Sequence, residues 1–245
     1  MKKMKYSKKI ILLVIVIMEI VAIAVFSRGP SMQSSAACMM DGFRYVIWSR
    51  CSVVLIVLIC LYFLLTHREN DNVMTIIHMK NRVTIWNKEC IHILKQSVVF
   101  TLVIMVVTLI MCSIFYKGNW INWNQSDSFA TAYTGKAVND ISIIKMIILG
   151  YLIVFFQMYF SLQCLLLSNE LWNNYAWGLA ALVIIGVNDM NSQWIPLIYG
   201  RFTINREQWL FLRSSDICVI FQLVIIICIM YILGRVMARK REFLK

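Results

Sequence analysis

The 245 residues contain only two prolines, Pro30 and Pro196, and only twelve acidic residues. Proline fixes its own φ and removes a backbone donor, so a chain almost without it is free to run in long helices. Charged residues make up 15% of the chain, against about 25% in an ordinary soluble domain. No polar stretch is long enough to form a separate globular domain. Three histidines and the absence of any CxxC pair remove zinc-ribbon and thioredoxin-type readings. Six of the eight cysteines fall inside apolar runs, where a free thiol behaves as a small hydrophobe.

The motifs of catalysis are also missing. There is no His-Glu-x-x-His, no nucleophile elbow and no pair of aspartates inside an apolar run. The Gly-Lys dipeptide Gly135-Lys136 lacks the first glycine and the Ser/Thr of a phosphate-cradling loop. If ATP drives this protein, the nucleotide sits on another chain. Glu89 and His92 form one Glu-x-x-His, half of a di-iron helix signature. One copy without a second carboxylate cluster reads as the solvated face of a helix. No enzyme activity, cofactor or metal is expected of this chain.

Apolar sequence is abundant: 60% of residues are hydrophobic and the mean hydropathy is +0.73. The expected fold is all-α, one polytopic transmembrane domain over residues 1–245 of the cell membrane. Six spans are expected, at 10–26, 45–66, 98–116, 143–167, 171–187 and 217–233, each about the 17–25 residues a crossing helix needs. The first follows five lysines and invites a signal-peptide reading. It is 17 residues long and contains Glu19, which favours a retained span. The fifth is the weakest, with a clean apolar core only at 176–187. The polar turn at 168–175 is short enough to require that spans four and five form an antiparallel hairpin.

The net charge of +12 is topology information here, and no RNA- or DNA-binding motif accompanies it. With both termini inside, five Lys or Arg precede span one, five lie in residues 67–96 and five follow span six, against nine elsewhere. That bias fits the inner, anionic face of a membrane. Residues 67–96 mix cations with aliphatics and Trp86, as expected of an interfacial helix contacting membrane lipid. Short apolar pieces at 194–199 and 209–212 suit re-entrant or interfacial helices between spans five and six. Trp120 and Trp123 are expected at the outer interface.

Glu19 sits mid-span, where a carboxylate costs about 2.5–3.5 kcal/mol on insertion scales. Two readings stand side by side: a residue of a translocation path, with Gln157 and Gln222, or a structural hydrogen bond to Gln157, Gln163 or Gln222.

This layout resembles the ABC-2 type permease subunits of ATP-binding cassette transporters. The resemblance lies in six spans with both ends inside, the basic stretch 67–96, the short apolar pieces before span six, and the basic tail after it. It covers the whole chain by architecture. It implies a non-enzymatic exporter subunit, of the kind that accompanies bacterial peptide or bacteriocin export and immunity. It also implies cytosolic ATP-binding cassette ATPase subunits and a second permease subunit, identical or not, as partners. Arg82, Ile85, Trp86, Lys88 and Glu89 would then form the ATPase-coupling helix. Only nine residues precede the first apolar run, which shifts any interfacial role onto 67–96. The alternatives are a stand-alone membrane immunity or binding protein and, with so little intramembrane charge, an ion-coupled carrier.

Overall fold

A computed structural model describes residues 2–27, 37–47, 49–70, 81–117, 119–128, 131–132, 135, 142–190, 197–199 and 214–242. Among these, seven helices follow one another without a strand: α1 (Lys2–Ser27), α2 (Met39–Ile47), α3 (Ser49–Asn70), α4 (Arg82–Phe115), α5 (Ile143–Trp172), α6 (Tyr175–Met190) and α7 (Ser214–Glu242). The all-helical expectation is met. Three stretches, Arg82–Phe115, Ile143–Trp172 and Ile220–Lys240, are long and apolar enough to cross a membrane, as a membrane protein requires.

That number differs from six. The expected second span, 45–66, lies mostly in α3, which is bent by 54° from the α2 that precedes it. The described apolar part of α1, Leu12–Val25, and the 16-residue α6 are shorter helices. At 1.5 Å per residue α6 rises about 24 Å, less than the ~30 Å of a hydrocarbon core. The interfacial helix also differs from expectation. Arg82–Glu89 are the first turns of α4, continuous with the third span, because no proline or glycine interrupts 82–115. Residues 71–80 lie outside the described residues, as do 194–196 and 209–212.

The outward faces of the long helices are apolar. The outward face of α4 carries Val99, Leu102, Val106, Ile110 and Ile114, and that of α7 carries Phe221, Ile225, Ile229 and Ile232, all exposed. The inward face of α4 holds Ser97, Thr101, Thr108 and Cys112 at spacings of four and seven, which place them on one stripe. A soluble bundle would show the reverse; a lipid solvent permits this arrangement.

α5 is the central helix, packed on α3, α4, α6 and α7, with buried residues along its length from Met146 to Ser168. Its end is well specified. Asn173 adopts the left-handed conformation at φ 54°, and its N–H closes on Asn169 O at 2.8 Å. Asn174 Oδ1 then accepts from Ala176 N, capping α6. This two-residue turn makes the α5–α6 hairpin. Asn81 caps α4 by accepting from Val83 N at 2.7 Å.

Candidate functional site

Three polar constellations sit inside or at the ends of this apolar bundle. The first contains Glu19. It is 1% exposed on α1, in line with the buried Ile15 and Ile23. Thr108 Oγ1 of α4 donates to Glu19 Oε1, while Oε2 is buried without a partner. The glutamines named as structural partners are not its partners; a threonine from the next helix is. Thr101 Oγ1, two turns along the same stripe, is also buried and unpartnered.

The second lies at the end of the bundle where α4 finishes. Cys38 precedes α2, and Asp41 occupies the third position of that helix. The Asp41 carboxylate accepts from Cys38 N at 3.1 Å and from Cys38 Sγ at 3.2 Å, reaching back as in a capping box. Asp41 Oδ1 also accepts from Trp123 Nε1 at 3.0 Å. The carbonyls of Asn119 and Trp120 take the N–H groups of Met39 and Met40, two of the donors that a helix start leaves open. Residues 39–44, which precede the expected second span, thus belong to a capped, buried helix. Trp120 is exposed as expected, but Trp123 is 1% exposed and serves Asp41 rather than the interface. Burial, followed by the Asp41 charge, pushes the Cys38 thiol up to about 12.

The third is halfway along α5. Gln157 Nε2 donates to Tyr199 O at 3.3 Å, and Ser161 Oγ shares a 2.7 Å hydrogen bond with Tyr199 Oη. Asp189, near the end of α6, accepts from Leu197 N at 2.6 Å and from Ile198 N at 2.9 Å. Gln157, Ser161, Gln163 and Tyr199 are completely buried. Among the described residues, Gln157 Oε1 and both amide atoms of Gln163 have no hydrogen-bond partner. α6 reaches this point because Gly186 lies flush on α3; a Cβ there would sit 2.5 Å from Val53 Cγ1.

The structure separates the expected path residues. Glu19 and Gln157 are buried, on α1 and α5, whereas Gln222 is exposed on α7. The expected coupling residues divide as well. Lys88 is exposed, and Arg82, Ile85 and Glu89 are half-buried. Trp86 is fully buried; its Nε1 donates to Tyr231 O at 3.2 Å. Its ring lies over Gly234, where a Cβ would come within 2.0 Å of Cζ2. Asn87 Oδ1 accepts from Tyr231 Oη at 2.8 Å. Trp86 therefore joins the start of α4 to α7 and presents nothing to a partner.

Sequence reasoning passed over Asp41, Asp189, Tyr199 and Thr108. Two signals were present: Asp41 stands three residues after Cys38 in a capping pattern, and Asp189 closes an apolar run in a chain poor in acids. Nothing in the sequence pairs Thr108 with Glu19 or brings Tyr199 to Ser161. Among the described residues no group of three or more His, Cys, Asp or Glu is arranged to hold a metal ion. No family model, no curated protein and no solved structure matches this chain.

Proposed function

We propose that this chain is the membrane-spanning subunit of an ATP-binding cassette exporter of the ABC-2 permease type. In this reading it crosses the membrane six times with both termini inside. ATP is hydrolysed on separate cytosolic subunits, a second permease subunit completes the path, and the cargo is hydrophobic or a peptide. The bent pair α2–α3, α1 and α6 supply the three crossings beyond the three long helices.

The observation that carries the reading is the start of α4. Thirty-four residues rise about 51 Å, well beyond a ~30 Å hydrocarbon core. The excess holds Arg82, Lys88 and Lys95, with Lys88 and Lys95 exposed. Trp86 fastens this extension to α7 through Tyr231 and Gly234. A partner pushing on α4 would move two long helices together, since packed elements shift as units. Lys88 suits the docking role and Trp86 the transmitting one.

The test is recovery of an ATPase with the tagged full-length chain from its native membrane. Lys88→Glu should reduce that recovery. Trp86→Ala should leave recovery intact and lower the turnover of the bound ATPase. A wild-type chain that brings down no ATPase would count against the exporter reading and favour a stand-alone binding or immunity protein.

A further inference from the structure

The outward face of α4 changes shape toward its C-terminal end. Val99, Leu102 and Val106 project from an uninterrupted helix surface. From Leu109 onward the surface is hollowed. Met39, Leu109, Ile110, Ser113, Ile114 and Trp120 line a groove of about 330 Å³. That volume falls at the lower end of the ~300–1,000 Å³ of small-molecule sites. Met39, 1% exposed, is its floor, while the exposed Ile110, Ile114 and Trp120 are its walls.

Main chain fixes this shape. Lys117 takes the left-handed conformation at φ 50°, and Asn119 N donates to Tyr116 O at 3.0 Å, so the chain turns sharply where α4 ends. The Asn119 and Trp120 carbonyls then accept from Met39 N at 2.8 Å and Met40 N at 3.2 Å. Floor and wall are thus tied together before anything binds, which removes an ordering cost from binding. The lining selects the occupant. Its apolar side chains favour methylene groups over water. The Ser113 hydroxyl and the Trp120 indole N–H add two hydrogen-bond donors. Lys117 is exposed in the turn, three residues from Ile114 and three from Trp120. An apolar hollow beside donors and a cation, at the end of a crossing helix, matches an acyl chain that carries a phosphate. Trp and Lys side chains also reach headgroup level at such helix ends.

We propose that this groove binds one phospholipid of the leaflet at the C-terminal end of α4, with an acyl chain along Leu109–Ile114 beside Trp120 and the phosphate at Lys117. The site needs only that α4 crosses the membrane, and it is independent of the exporter reading. A smooth helix face meets lipid as a solvent. A preformed hollow with a charged rim holds one molecule in place.

The test uses the full-length chain in vesicles of phosphatidylethanolamine and phosphatidylglycerol, with a trace of phosphatidylglycerol bearing a diazirine on its acyl chain. After illumination, lipid adducts mapped by mass spectrometry should concentrate in residues 109–120, severalfold above those on 99–106 and 221–232, which face the same lipid. Ser113→Phe fills the groove from an exposed position and should bring 109–120 down to the level of the other two faces. Lys117→Glu should lower labelling of 109–120 about fivefold, the effect of one cation near an anionic surface. Equal labelling of all three faces in the wild-type chain overturns the site. So does unchanged labelling of 109–120 in either variant that elutes from gel filtration like wild type; should Ser113→Phe fail to fold, Lys117→Glu decides alone. Cross-links from 109–120 to a second copy of the chain in place of lipid overturn it as well, and assign the groove to a homodimer.

Discussion

At Glu19 a single hydroxyl decides how well a carboxylate is tolerated among aliphatic side chains. Among the described residues Thr108 is its one donor. Thr108→Val keeps the shape and removes the hydrogen bond, and should destabilise the folded chain by about 1–3 kcal/mol. Thr108→Ser should restore most of that loss. Thermal unfolding in detergent measures both, and equal midpoints for Val and Ser would show that the bond contributes nothing.

Cys38 offers a second measurement at the residue scale. Its thiol is raised from 9.0 to about 12 by burial and by Asp41. Between those values the unfolded chain has lost a proton that the folded chain keeps. Stability from this group is therefore complete below pH 9.0 and lost as pH rises toward 12. The thiolate is the reactive form, so at pH 8 alkylation of Cys38 should accelerate about 1000-fold on unfolding. Peptide-resolved mass spectrometry reads this directly, and a fast reaction in the folded protein would contradict the burial.

Between elements, close approach depends on two missing side chains. Gly234 lies under the Trp86 ring, and Gly186 lies on Val53. Gly234→Leu cannot be absorbed by a small shift, since three Trp86 ring atoms lie within 2.5 Å of the Cβ position. It should separate α4 from α7 and cost about 1–3 kcal/mol by overpacking. Trp86→Ala removes the same contact from the other side. The double variant should therefore be less destabilised than the sum of the singles. Strict additivity in unfolding midpoints would show that the two residues do not share a contact.

Across the whole molecule, the Trp86–Tyr231 bond sets the start of α4 and the end of α7 at one end of the bundle. The charge bias assigns that end to the inner face. Lys88→Cys and Arg239→Cys should react with an impermeant thiol reagent only after cells are permeabilised. Labelling of either site in intact cells would reverse the topology and remove the coupling role of α4.

Helical class and the α5–α6 hairpin were legible in the chain, because each follows from local composition. A run such as 98–116 is apolar whatever it packs against, and two asparagines between apolar runs make a turn anywhere. The bend between α2 and α3 depends on neighbours. So do the roles of individual residues. Trp86 looked like a surface anchor because its neighbours in sequence are cations; only packing on Gly234 buries it. Gln157 and Gln222 are chemically alike and lie in similar apolar runs, yet one is enclosed and the other faces outward. In a helix every direction is occupied in turn, so sequence determines what a span is made of. Which side chains meet is decided by how the helices rotate and cross, and that follows from contacts far apart along the chain.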